Sequence, residues 1–340
     1  MKVYRGFEID MDTPAAEVLS EVTEYVGSEE TKANAAENAP EPYRDEIVKD
    51  NYSDFNDKFY GNNNVMVSKT AALHGTHVSG IIAASRNNGV GVDGVADNVR
   101  VMMVRAVPDG DEHDKDIALA IRYAVDNGAK VINMSFGKSY SPQKNWVDDA
   151  VRYAESKGVL MVEAAGNSAE DIDTSYNFPS PIFLDGKKAT NWITVGASAP
   201  NADIKSGGLT ASFSNYGKKS VDVFAPGVKI YSTVPGGNTY QNLQGTSMAS
   251  PVVAGLAALI LEYYPTLSAA QVKMVIEKSA QKPSVKVKEP GTGEDVELSD
   301  ISRSGGIINA YEALKLASTI KGDRPAPKPA TSTVKPKAKG

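Results

Sequence analysis

The feature that most constrains this chain is an alternation of short apolar runs with helical segments, which begins at about Gly61. Runs such as Lys130 to Met134 (KVINM) and Trp192 to Ala197 are apolar on both faces. Strands of this kind are typical of a parallel sheet that is covered on both sides by helices. The pattern therefore predicts an α/β fold with a mostly parallel sheet between helices.

The same pattern places the individual elements along the chain. Capping signals support two late helices, one opened by Ser268 and Gln271 and one opened by Asn309 and Glu312. The predicted strands are 99–107, 130–134, 159–163, 192–197, 221–224 and 230–233, and the other predicted helices are 116–127, 146–157 and 247–264.

Two segments differ in composition from the rest and divide the chain into three parts. Residues 1–41 are acidic, and Thr13-Pro14 followed by an apolar stripe up to Gly27 predicts one peripheral helix there. Residues 321–340 are rich in Pro, Lys, Ala and Thr and are predicted to be disordered. Residues 42–320 remain as a single predicted domain.

Composition excludes several classes of function. The chain has 340 residues, no cysteine and 3 histidines, which excludes disulfides, thiolate metal sites and a cysteine nucleophile. No metal site is expected, no cofactor is required, and a structural calcium ion leaves no readable pattern. The sequence contains no apolar run of about eighteen residues, so no membrane span is predicted. The net charge of −6 is concentrated in the first 60 residues, so no nucleic-acid partner is indicated.

Ser247 lies in a turn of small residues that leads directly into an apolar helix, in the sequence QGTSMASPVVAG. A serine in the first turn of a buried helix has its hydroxyl near the positive end of the helix dipole, which suits a nucleophile. A simple N-cap serine is the alternative, and it is the commoner role for an isolated serine at a helix start.

A second turn of small residues, LHGTHVSGIIAA, brings two histidines within three positions of each other. If the segment is helical, His74 lies in the first turn and His77 about one turn later. They could form a metal pair, or one could be a general base and the other a packing residue. No acidic partner of the HExxH type lies nearby, which argues against the metal pair.

Four segments together resemble the subtilisin-like (subtilase, S8) serine peptidases. HGTHVSG is similar to the histidine signature of that family, and GTSMASP is similar to its serine signature. MVEAAGN at 161–167 resembles the strand and turn that supply the oxyanion-hole asparagine, and NMSFG at 133–137 resembles the substrate-binding strand. The resemblance covers about Tyr43 to Ala317 and implies a subtilisin-like three-layer sandwich.

The resemblance implies a role for each matching residue. Ser247 would attack the scissile carbonyl, His74 would act as general base and acid, and Asn167 would donate to the oxyanion. The polypeptide substrate would bind as an extended strand between two segments that expose their backbones. These substrate-binding segments are Ser135, Phe136 and Gly137, and Ala164, Ala165 and Gly166.

Glu163 stands where the resemblance implies a small or apolar residue. It could be a buried charge, a pocket acid that favours basic side chains, or an outward-facing residue, and the last is favoured.

The catalytic aspartate that the resemblance implies has no counterpart before His74. The expected pattern, two apolar residues followed by Asp, Ser or Thr, and Gly, is absent from this stretch. Asp10 and Asp12 end the only strand-like run there and are weak candidates. We expect Met1 to fall within an insertion between the aspartate and histidine blocks, so that the aspartate and the first core strand lie upstream.

These inferences predict a serine endopeptidase that forms an acyl-enzyme on Ser247, with the activity of this chain in doubt because the aspartate is missing. A non-catalytic peptide-binding member of the same family is the alternative. The resemblance implies an extracytoplasmic or secreted location, although Met1 to Asp10 lacks the apolar stretch of a signal peptide.

Overall fold

The structure, a computed structural model, describes residues 44–108, 110–200 and 208–325. The predicted acidic helix, Asp10, Asp12 and the chain after residue 325 lie outside these residues. The backbone N–H of Arg324 donates to the carbonyl of Thr266 at 3.0 Å. The chain is therefore still held against the domain at this point, beyond residue 321 where the predicted tail begins.

A parallel four-stranded sheet forms the centre of the domain, as the apolar runs predict. Its strands lie side by side in chain order, and every adjacent pair is parallel. They are β1 (Val131–Met134), β2 (Leu160–Ala164), β3 (Trp192–Ser198) and β4 (Val223–Pro226).

Seven α-helices and four further strands complete the described part of the chain. The helices are α1 (Lys69–Ala83), α2 (Asp114–Asp126), α3 (Lys144–Ser156), α4 (Thr246–Tyr263), α5 (Ala269–Ser279), α6 (Leu298–Ile301) and α7 (Ala310–Ala317). A short π-helical turn covers Arg44–Val48, and the remaining strands form two antiparallel pairs, β5 (Ile230–Val234) with β6 (Thr239–Leu243) and β7 (Val287–Lys288) with β8 (Asp295–Val296).

Alternation of side chains along the strands produces two apolar cores, one on each face of the sheet. Met161 and Trp192 pack with helices α2 and α3 on one face. Val162 and Ile193 pack with helices α4, α5 and α7 on the other. This arrangement of helices, sheet and helices confirms the predicted α/β sandwich of three layers.

Helix α4 is the one helix within the described residues that is long and apolar enough to cross a membrane. Two thirds of it, 67%, is buried inside the domain. It is a core helix of the sandwich.

The segment 99–107, predicted as a strand, is not a strand in the structure. Val101, Met102 and Met103 are 40–45% exposed, although all three are apolar. Strand β1 is also incompletely covered, because it forms one edge of the sheet and its first three residues are only half-buried, whereas β2 and β3 are buried throughout. A parallel strand forms only when it has a neighbour, and within the described chain no strand pairs with 99–107 or with the outer edge of β1.

The predicted strand at 230–233 exists, but it belongs to the β5–β6 hairpin and not to the parallel sheet. The hairpin packs on helix α1 through His77, whose Nε2 lies 2.9 Å from the carbonyl oxygen of Ile230 and 3.1 Å from that of Gln241. Both neighbours are acceptors, so Nε2 carries the proton. His77 is fully buried, and burial lowers its pKa.

The buried neutral His77 predicts that stability declines as the pH falls below about 6.5, the pKa of an unperturbed histidine. Below that value the unfolded chain binds a proton that the folded chain resists. We expect His77→Gln to destabilise the protein by about 1–3 kcal/mol at pH 8 and by less at pH 5.5. Urea unfolding of both proteins at the two pH values measures the difference, and a gap that does not narrow at pH 5.5 would contradict the assignment.

Candidate active site

Ser247 is the second residue of helix α4, in the first turn, as predicted. The N-cap position is occupied by Gly245, so the alternative of a simple N-cap serine is wrong. Gly245 has a φ of 145°, and a Cβ atom at this position would lie 3.2 Å from the amide nitrogen of Asn167. A glycine is therefore needed here to bring the two segments together.

Two reciprocal hydrogen bonds hold the start of helix α4 against the end of strand β1. The Ser247 hydroxyl donates to the carbonyl of Ser135 at 3.2 Å, and the Ser135 hydroxyl donates to the carbonyl of Ser247 at 2.8 Å. The side-chain amide nitrogen of Asn133 donates to the Ser135 hydroxyl at 2.9 Å, and Oδ1 of Asn133 accepts from the Ser250 hydroxyl at 2.7 Å. Ser247 thus lies at the carboxyl edge of the sheet, where open α/β sheets place their sites.

Asn167 follows strand β2 and is oriented by Thr246. Its Oδ1 accepts from the backbone N–H of Thr246 at 2.9 Å and from the Thr246 hydroxyl at 2.8 Å. That hydroxyl also accepts from the backbone N–H of Gly166 at 3.1 Å. Because Oδ1 is occupied, the Asn167 amide nitrogen faces Gly245, two residues before Ser247.

Thr246 is 1% exposed, and sequence reasoning missed it. Its position between the helix-start glycine and Ser247 was visible in the sequence. Its bond to Asn167, 79 positions away, depends on the fold and could not be read there.

His74 lies in the second turn of helix α1 and not in the first turn. The helix begins at Lys69, because the Ser68 hydroxyl caps it by accepting from the Ala71 N–H at 3.0 Å. The His74 side chain is exposed. Its pKa is lowered by partial desolvation from surrounding protein atoms and by the nearby His77.

Helix α1, which carries His74, packs against helix α4, which carries Ser247. A Cβ atom on Gly255 would lie 3.5 Å from Cα of Ile82, and Met248 shares an apolar cluster with residues of α1. His74 precedes Ile82 by eight positions, and Ser247 precedes Gly255 by eight. Each residue therefore lies about 12 Å along its own helix from the contact between the helices.

His74 has no hydrogen-bond partner among the described residues, either on Ser247 or on a carboxylate. The residue after it, Gly75, lies close to the thioether of Met103, which belongs to the exposed apolar segment near residue 101. Apolar surface that lacks a neighbouring strand therefore reaches the vicinity of His74.

The two predicted substrate-binding segments differ in how many backbone N–H and C=O groups they leave free to pair with a substrate. Carbonyls of Ala165 and Gly166 accept from Asn215 at 2.9 and 2.8 Å, and the Gly166 N–H is bonded to Thr246. This segment therefore has few backbone groups left to pair with a substrate. Ser135–Gly137 follows the open edge strand β1, and the backbone N–H and C=O of Gly137 make no hydrogen bond within the described chain.

Glu163 is not the outward-facing residue that the sequence favoured. It is 2% exposed and accepts hydrogen bonds from Asn177 at 2.9 Å, Trp192 at 3.1 Å and Thr194 at 3.0 Å. Burial, together with the charges of Asp222 and other acids, raises its pKa well above the usual value. The prediction failed because β2 is buried on both faces, so the alternation of its side chains leaves none of them in solvent.

Comparison with known proteins identifies the sequence family. A family model described as the subtilase family (Peptidase S8) matches residues 28–302. The thermophilic serine proteinase of Bacillus sp. (strain AK1) is 41% identical over 242 residues, which cover 71% of this chain and 52% of that protein. Thermitase of Thermoactinomyces vulgaris is 39% identical over 243 residues, which cover 71% of this chain and 75% of that protein.

Solved structures show the same relationship. A protease of Pseudoalteromonas arctica aligns with a TM-score of 0.57 at 31% identity, covering 72% of this chain and 70% of that one. The protease domain of PatA aligns with a TM-score of 0.57 at 26% identity, covering 73% and 82%. The chain spans about half the length of the Bacillus proteinase and about three quarters of thermitase. It belongs to the subtilase family of serine peptidases.

Proposed function

We propose that this chain carries the nucleophile, general base and oxyanion donor of a serine endopeptidase. The observation that carries the proposal is the placement of Ser247 at the start of helix α4, beside an Asn167 amide that Thr246 holds in one orientation. His74 lies on the helix that packs against α4. The proposal is that these three groups act together at the carboxyl edge of the sheet.

The proposed reaction begins when the Ser247 hydroxyl attacks the scissile carbonyl carbon and its proton passes to His74. The carbonyl π electrons move to oxygen and form a tetrahedral oxyanion. When the C–N bond breaks, His74 returns the proton to the leaving amine, and an acyl-enzyme remains on Ser247. Water, deprotonated by His74, then releases the carboxylic acid product.

The lowered pKa of His74 suits this role, because the base must be neutral to accept the serine proton. The Asn167 amide and the backbone N–H of Ser247 would stabilise the oxyanion. A substrate laid along Ser135–Gly137 as an added strand would present its carbonyl to Ser247.

The proposal also includes an acid that orients His74. We propose that an extended apolar segment ending in aspartate pairs with the free edge of β1 and places its carboxylate next to His74. The half-exposed face of β1 and the exposed Val101–Met103 support this, since both lack a covering strand. Without the acid, the imidazole would lose control of its tautomer and the imidazolium would lose its counter-charge. An extracytoplasmic or secreted location is also part of the proposal.

We expect Asn167→Leu to slow the labelling of Ser247 by a fluorophosphonate probe about 10²- to 10³-fold, because the phosphonylation transition state carries negative charge on oxygen. Thr246→Val should slow it about tenfold, since the backbone N–H of residue 246 still holds Asn167. Thr190→Val is the matched control, because the exposed Thr190 hydroxyl bonds Glu155 away from the site. A change below about threefold in Asn167→Leu would refute the oxyanion role.

We expect the 340-residue chain to be labelled slowly, and about 10⁴-fold faster when a longer chain adds a strand of the apolar-apolar-Asp-Ser/Thr-Gly pattern ahead of Met1. Asp10→Asn and Asp12→Asn should leave the slow rate unchanged. Fast labelling of the 340-residue chain that either variant abolishes would show that the acid lies within the chain. If Ser247 stays unlabelled even with the added strand while peptides still bind, the non-catalytic peptide-binding alternative is correct.

A further inference from the structure

Asn177 lies between the two predicted substrate-binding segments, and the space beside it that these segments flank is called the cleft. A Cβ atom on Gly137 would lie 2.7 Å from Oδ1 of Asn177, and a Cβ atom on Gly166 would lie 3.6 Å from the same oxygen. The amide oxygen therefore stands between the two glycines that flank the cleft. Any side chain larger than hydrogen at Gly137 would collide with it.

The orientation of this amide is determined by its neighbours. Its Nδ2 donates to Oε1 of Glu163 at 2.9 Å and lies 3.4 Å from the carbonyl oxygen of Ala164. The Ala164 carbonyl can only accept, so turning the amide over would lose this hydrogen bond whether or not Glu163 is protonated. The Ala164 carbonyl, together with the ionised form of Glu163, therefore keeps the Asn177 oxygen directed toward the cleft, where it is available as an acceptor.

Glu163 has no cation within its own hydrogen-bond set. Its partners are the amide of Asn177, the indole of Trp192 and the hydroxyl of Thr194, all of them neutral. Asp222, the nearest acid on the sheet, is already paired with Lys273 at 2.8 Å. A fully ionised carboxylate at this depth is costly, so Glu163 binds a proton readily while the cleft is empty.

A second buried acid, Glu112, lies in the same region and acts on Glu163 electrostatically. Glu112 is 3% exposed, and its Oε1 has no hydrogen-bond partner in the described chain. Burial raises its pKa to about 7. The neighbouring Lys138 pairs with Asp114 at 2.8 Å and donates to the backbone carbonyl of Glu112 at 2.6 Å, so its charge is largely used elsewhere.

We propose that the cleft selects substrates with lysine immediately before the scissile bond, whose ammonium donates to Oδ1 of Asn177 and is compensated by Glu163 behind it. This inference rests on the proposed function, which identifies the cleft as the pocket for that side chain. An arriving cation supplies the counter-charge that both buried acids lack. Binding should therefore favour the ionised form of Glu163 and release a proton, so the preference for lysine should strengthen as the pH rises.

The test compares two extended peptides that differ only in this residue, lysine or norleucine, which has the same chain length without the ammonium. Binding to the full 340-residue chain carrying Ser247→Ala is measured by titration calorimetry, so that no cleavage is needed. We expect the lysine peptide to bind at least tenfold more tightly at pH 8 and to release a proton, which buffers of different ionisation enthalpy reveal. The norleucine peptide should release none.

Glu163→Gln should reduce the ratio of the two affinities to near one and remove the proton release. Glu155→Gln, the same change at a half-buried acid that bonds Thr190, is the matched control and should keep both. Equal or weaker binding of the lysine peptide in the protein with Glu163 intact overturns the inference, whether or not Glu163→Gln folds.

The same titration separates this inference from the proposed function. Failure of Ser247 to react with the fluorophosphonate would count against the catalytic proposal and leave the ratio of affinities readable. If neither peptide binds at millimolar concentration, the cleft is not a peptide site and the inference is overturned.

Discussion

The burial of helix α4 against the parallel sheet is the constraint on which the rest of the structure depends. Its inner face, which includes Ala249, Val253 and Leu256, packs on the apolar side chains of β2, β3 and β4. Away from the sheet, Gly255 permits a close approach of α4 to the segment that follows α1, since a Cβ atom on Gly255 would lie 2.8 Å from Cβ of Val95. Once the helix is seated, the position of its first turn relative to the ends of β1 and β2 is determined. This packing therefore determines the position of Ser247.

Polar contacts at the start of α4 then convert a packed helix end into a site. Thr246 connects the helix to the end of β2 through Asn167 and Gly166, and Ser135 connects it to the end of β1. These hydrogen bonds are partly or wholly shielded from water, where they are stronger and more directional than at the surface. The site is therefore assembled by contacts between elements that are far apart in sequence.

Much of this could be predicted from the sequence, because the determining signals are local. Apolar runs gave the four parallel strands, capping residues located α5 and α7, and glycines marked the turn before Ser247. The segment 99–107 has the same apolar character as those strands, yet it is not a strand. Strand formation depends on a partner as well as on the sequence of the strand itself. Likewise Glu163 resembles a surface residue until the fold shows that its strand is covered on both faces.

Because a strand requires a neighbouring strand, the open edge of β1 also affects the tendency of the protein to associate in solution. The outer edge of β1 has no partner strand in the described chain, and such an edge can template pairing with any other extended chain. The Lys and Pro residues that commonly blunt such edges are absent from Val131–Met134. In solution this edge pairs either with an extended segment of its own chain or with another molecule, and the two kinds of pairing compete. The edge that we propose binds the aspartate-bearing segment therefore also determines how readily the protein associates with other chains.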